Sequence, residues 1–179
     1  MFETSEEIAQ NKLILLYLLK NINIAMTNSE ICQFALEKRI MDYFAVQSCM
    51  EELFETSLLE KYKENNLTWY KTTEDGDRIL ALFEEKIPKW MRKDALEYIE
   101  NNGDRLRTEY EINASVEKRG SEDYFVSCRI YGESRNIVMD IGVSVPDENI
   151  AEEIRDNWKK NSNDIYLKIL GVLTENDKT

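Results

Sequence analysis

Leu67-Thr68-Trp69-Tyr70-Lys71-Thr72-Thr73-Glu74-Asp75-Gly76 changes character midway. Leu67 to Thr72 reads as a strand, with Tyr70 expected to anchor it in a core. Thr73 can accept the free amides of a new helix and so marks a helix start. Gly76, which has no Cβ, permits close approach of that helix and the wing that this strand and the one before it would form. Just upstream, Leu58 to Lys63 reads as a second strand and Glu64-Asn65-Asn66 as the connection. Asn tolerates positive φ, so the two strands are expected to form a tight hairpin.

Three helices are expected ahead of that hairpin. The first spans roughly Glu6 to Asn21, with Ile8, Leu15, Leu16, Leu19 and Ile22 on one face. Leu13, Ile14 and Leu18 widen this stripe, and a helix apolar on more than one side must be covered on more than one side. A partner subunit is the expected second cover. Thr27 and Glu30 form a capping-box pattern that opens the second helix. Asp42 can cap the third, Tyr43 to about Thr56, whose apolar stripe is Val46, Met50, Leu53 and Phe54. After the hairpin a fourth helix turns Ile79, Leu80 and Phe83 inward. Ile87-Pro88 interrupts it, and Pro is well tolerated at the start of the next helix. That fifth helix carries Trp90, Met91, Ala95, Tyr98 and Ile99, and Asn101-Asn102-Gly103 is a place for it to break or end.

Beyond residue 110 the pattern alternates. Tyr110, Ile112, Ala114 and Val116 share one face of a strand, and Lys118-Arg119-Gly120-Ser121 turns the chain. Tyr124, Val126, Cys128 and Ile130 line the next strand, and Gly132-Glu133-Ser134 turns it again. Ile137, Met139, Ile141, Val143 and Val145 line the third. Three strands joined by short turns form an antiparallel meander with one apolar face. Such a face needs a cover. Ile150, Ile154, Trp158, Ile165 and Ile169, extended by Leu170 and Leu173, supply it as one long helix bent at Asn161-Ser162-Asn163. The tail after Glu175 is expected to fray.

The fold class read from this is α+β: an N-terminal winged helix-turn-helix, and a C-terminal three-stranded antiparallel sheet covered by a long helix. The domains are residues 1–87, a linking and dimerisation helix over 88–109, and residues 110–179. The Leu67 to Gly76 stretch resembles the end of the wing in PadR- and MarR-type bacterial regulators. There, a strand with an aromatic residue runs into a Thr, two polar residues and a Gly. The whole chain also resembles an uncharacterised bacterial family known as a domain of unknown function, with a PadR-like winged helix and a C-terminal α+β domain. The Gln47-containing third helix, the wing and the Ala151 to Leu173 stretch with Asn157-Trp158-Lys159-Lys160 carry that resemblance. It implies the fold more strongly than any role.

Composition removes several chemistries. The chain has 179 residues, 42% of them hydrophobic, which is enough for a core. It contains no His, so Ser-His-Asp and Cys-His catalysis are excluded. Cys32, Cys49 and Cys128 form no CxxC pair and read as reduced thiols packed in a core. No nucleotide loop, Gly-rich phosphate cradle or metal-ligand spacing appears, so no enzyme, metal or cofactor is expected. The aromatic residues read as core before they read as a ligand pocket. The acidic start and the short Leu13 to Leu19 run argue against a secretory signal and a membrane span. A cytoplasmic location is expected.

In a helix-turn-helix the third helix enters the major groove with its N-terminal side chains on base edges. Here Gln47 and Ser48 would read bases, Tyr43 lies beside them, and Lys61, Lys63 and Lys71 would hold the hairpin to the backbone. No Lys or Arg occurs between Asp42 and Thr56, and Glu51, Glu52 and Glu55 would face phosphates. The formal net charge of -12 is opposite to that of a general polyanion binder. The leading expectation is a homodimeric DNA-binding transcriptional regulator, with an effector as a further partner. Its rival is a protein-interaction module that uses the acidic third helix.

Overall fold

The computed structural model describes residues 4–132 and 135–174. The chain divides into two compact units, Met1–Arg107 and Thr108–Thr179.

In the first unit, helix α1 (Ser5–Ile22) starts at Thr4, whose hydroxyl accepts from the Glu7 amide while the Glu7 carboxylate accepts from the Thr4 amide. This reciprocal box satisfies two amides that a helix start otherwise leaves open. Strand β1 (Met26–Thr27) follows, then α2 (Asn28–Glu37) with the expected Thr27–Glu30 box. Helix α3 (Tyr43–Glu55) starts at Asp42, whose carboxylate accepts from the Ala45 amide at 2.9 Å. Strands β2 (Leu59–Glu64) and β3 (Leu67–Thr72) form the expected antiparallel hairpin, with Glu64 opposite Leu67. Asn65 and Asn66 have φ of 50° and 61°, so both connecting residues are left-handed. That is the type I′ turn whose twist matches its strands.

β1 was not expected. It pairs antiparallel with β3, Met26 opposite Tyr70 and Thr27 opposite Trp69, giving the sheet order β1-β3-β2. On β3 the deeply buried aromatic is Trp69, while Tyr70 is half-buried against the main core.

The Leu13 to Leu19 run is buried along its whole length. It packs against α3, β3, α4 (Glu74–Phe83) and the short 3-10 turn Glu84–Lys86. This corrects the expectation of a partner subunit on the second face of α1, because the unit's own elements surround the run. α4 turns Leu80 inward, but Phe83 is 41% exposed, contrary to the expected inward face.

Helix α5 (Lys89–Glu111) runs straight through Asn101-Asn102-Gly103. Gly103 and Leu106 are buried there, so packing overrides the local breaker signal. As a result Tyr110 lies in the last turn of the helix and does not open a strand. Trp90, expected among the packed residues of α5, is half exposed.

The second unit is the antiparallel sheet β4 (Ile112–Gly120), β5 (Asp123–Tyr131) and β6 (Ile137–Val145), in that order, followed by helix α6 (Glu148–Thr174). Tyr124, Val126 and Cys128 of β5 pack with Ala151 and Trp158 of α6. The Trp158 indole donates to the Arg129 carbonyl at 3.3 Å. α6 is interrupted at Asn161, with φ -126° and ψ 18°, where a bend is expected. β6 is an edge strand, and Ile137 and Val143 are exposed where an inner face is expected. Leu170 and Leu173 on the last turns of α6 are likewise exposed. Part of the Gly132-Glu133-Ser134 turn and the tail after Glu175 lie outside the described residues.

Candidate nucleic-acid interface

The face in question is the exposed side of α3 with the β2–β3 hairpin beside it. Asp42 fixes where α3 starts, which places Tyr43 and Phe44 on its first turn, 51% and 80% exposed. Their rings meet edge to face at 5.7 Å between centroids. Ser48 is exposed one turn on, and its hydroxyl donates to Glu52 at 3.3 Å.

Gln47 faces the neighbouring helix. Its carbonyl accepts from the Asn28 amide at 2.8 Å, and its own amide donates to the Asn28 oxygen at 2.8 Å and lies 3.2 Å from the Cys32 sulfur. The Cys32 thiol in turn donates to Asn28 at 3.1 Å. This network ties α2 to α3. Paired reading of an adenine would use both ends of the same amide, so Gln47 is engaged in the one arrangement that competes with base reading.

Lys61 lies 3.4 Å from Glu51 of α3 and 3.8 Å from the centroid of the Phe54 ring. Lys71 pairs across the hairpin with Glu60 at 3.0 Å. Lys63 is exposed and makes no ion pair among the described residues. Lys12 of α1 pairs with Glu52, and hydrogen bonding and charge from Lys12 hold that carboxyl below its ordinary range. The face is therefore an acidic helix whose neighbouring lysines are mostly matched to carboxylates. Exposed pairs of this kind contribute about 0–1 kcal/mol each, so a phosphate can displace them cheaply. Each displacement still leaves a carboxylate behind.

The three cysteines are buried and form no disulfide among the described residues. Burial pushes the Cys32 thiol up, and burial with the nearby Asp140 pushes Cys128 up to about 11. A reactive thiol needs the opposite shift and exposure. Two features of the face escaped sequence reasoning. Asn28 is nineteen residues from Gln47 and carries no local signal of that partnership. The exposure of Phe44 had a signal, since it falls off the Val46, Met50 and Leu53 stripe.

Among the described residues no helix is long and apolar enough to cross a membrane. The family described as a domain of unknown function (DUF4364) matches residues 11–173, which is most of the chain. No curated protein and no solved structure matches.

Proposed function

The chain belongs to the DUF4364 family, and on that premise we propose that its first unit is a PadR-like winged helix that binds double-stranded DNA as part of a homodimeric transcriptional regulator. The observation that carries this reading is the assembly of α2, a capped α3 and a β1-β3-β2 sheet whose hairpin flanks α3. Ser48 and Tyr43 are the base-facing candidates on the exposed side of α3. Lys63, Lys61 and Lys71 are the phosphate contacts, and Gln47 acts indirectly by fixing α3 against α2. Two-fold pairing lets two weak readers share one site. With α1 enclosed, the exposed Leu167 and Leu173 of α6 are the apolar surface offered for that pairing.

Selection from a random duplex pool at low salt tests the reading. It expects one enriched motif, weakened about tenfold or more by Ser48→Glu, which sets a negative charge against the duplex. Lys63→Gln should weaken all sequences alike and flatten the salt dependence, which is shallow already because so few lysines are available. Absence of any enriched motif sinks it.

A specific observation favours the protein-interaction reading second: Tyr43 and Phe44 stand exposed at the head of a helix bearing Glu51, Glu52 and Glu55. Exposed aromatic residues in an acidic surround suit a basic partner segment with an apolar anchor. Under that reading, Phe44→Ala abolishes partner binding and Lys63→Gln leaves it unchanged.

A further inference from the structure

Away from the α3 face, the first unit has an open groove of about 640 Å3. It is lined along α5 by Lys89, Arg92, Lys93, Leu96, Glu97 and Glu100, and on the α1 side by Tyr17. We propose that this groove binds a small organic anion: a carboxylate, sulfonate or phosphate monoester carried on an apolar body.

Tyr17 is the first reason. Its side chain is only 7% exposed, yet its hydroxyl makes no hydrogen bond among the described residues. The hydroxyl opens onto the groove, so it is free to donate to an anion bound there. Burial and the charge of Glu84 push its phenol up, with Arg92 acting the other way, so it keeps its proton and can donate.

The lysines are the second reason. Lys89 and Lys93 lie one turn apart on the same face of α5, both exposed and neither in an ion pair among the described residues. Like charges at this spacing destabilise a helix. Lys12, Lys20, Lys38, Lys61 and Lys71 of the same unit each have a carboxylate partner. Lys89 and Lys93 also stand at the start of α5, where the helix dipole adds to their attraction for an anion. Arg92 lies 3.6 and 3.7 Å from the carboxylates of Glu84 and Glu85, which offset its charge.

Leu96, 47% exposed, offers an apolar surface one turn beyond Lys93. Glu97, in its ion pair with Lys38, and Glu100 close the far end, and Glu100 repels a second negative charge. The ligand therefore lies with its anionic head on Lys89 and Lys93 and its body along Leu96, and an extended polyanion is excluded. This site does not depend on the DNA-binding proposal.

Fluorescence titration of the full chain with anilinonaphthalene sulfonate tests it, alongside the uncharged phenylnaphthylamine. The sulfonate should bind saturably, weaken about tenfold or more in the Lys89→Gln, Lys93→Gln double variant, and weaken about threefold in Tyr17→Phe. Binding of the uncharged probe should be the same in the double variant as in the original chain. A Lys86→Gln control should leave sulfonate binding unchanged. Sulfonate affinity within twofold of the original in the double variant, or no effect of Tyr17→Phe, overturns the proposal. All these positions but Tyr17 are exposed, and Tyr17→Phe keeps the ring, so folding is not at stake.

Discussion

Gly76 and Gly103 both sit inside helices, and they predict opposite outcomes for the same substitution. A Cβ on Gly76 would lie 2.2 Å from the Leu58 carbonyl oxygen, which already accepts from the Thr73 amide at 3.2 Å. Backbone must move, so Gly76→Ala should lower stability by about 1–3 kcal/mol in spite of alanine's better helix propensity. A Cβ on Gly103 meets only the Ile99 side chain at 3.7 Å, an ordinary contact. Gly103→Ala should therefore raise stability by about 0.5–1 kcal/mol. Urea unfolding midpoints decide both, and two shifts of the same sign would contradict the packing described. The close approach at Gly76 was legible from sequence because a strand, a capping Thr and a Gly follow one another directly. The engagement of Gln47 was not, because the Asn28 amide that holds it comes from another helix.

At the scale of elements, legibility followed how local each signal is. The Thr27–Glu30 box, the Asp42 cap and the Asn65-Asn66 turn each lie within a few residues and were readable. β1 has two residues and exists only because β3 lies beside it, so no periodicity could announce it. The cover of α1 was equally hidden: its apolar run says that several sides are buried but not by what. The hairpin carries its own prediction. Asn66 has φ of 61°, a conformation costing most L residues about 1–2 kcal/mol but open to Gly. Asn66→Gly should raise the melting temperature, and Asn66→Ala should lower stability by about 1 kcal/mol. Equal melting temperatures for the two variants would contradict a left-handed turn at the hairpin tip.

For the whole molecule, the absence of His has a consequence for stability. No side chain with an ordinary pKa titrates between about pH 5.5 and 8, and none of the shifted groups moves into that window. The urea midpoint should be flat from about pH 6 to 8. Above it, the buried thiol of Cys128 and the Cys32 and Tyr17 groups all have pKa values raised by burial. Each keeps its proton in the folded chain after the unfolded chain has lost it. The stability they contribute is present below the unfolded pKa and is lost as pH rises through the folded one. For Cys128 that window runs from about 9, its unperturbed value, to about 11. The whole shift corresponds to about 3 kcal/mol. Since Cys128 lies in the core of the second unit, the loss should appear in a signal from that unit, such as the fluorescence of buried Trp158. In Cys128→Ala the same signal should show a shallower fall between pH 9 and 11, with the plateau below pH 8 kept flat but lower. An unchanged slope in that variant would place the alkaline sensitivity elsewhere.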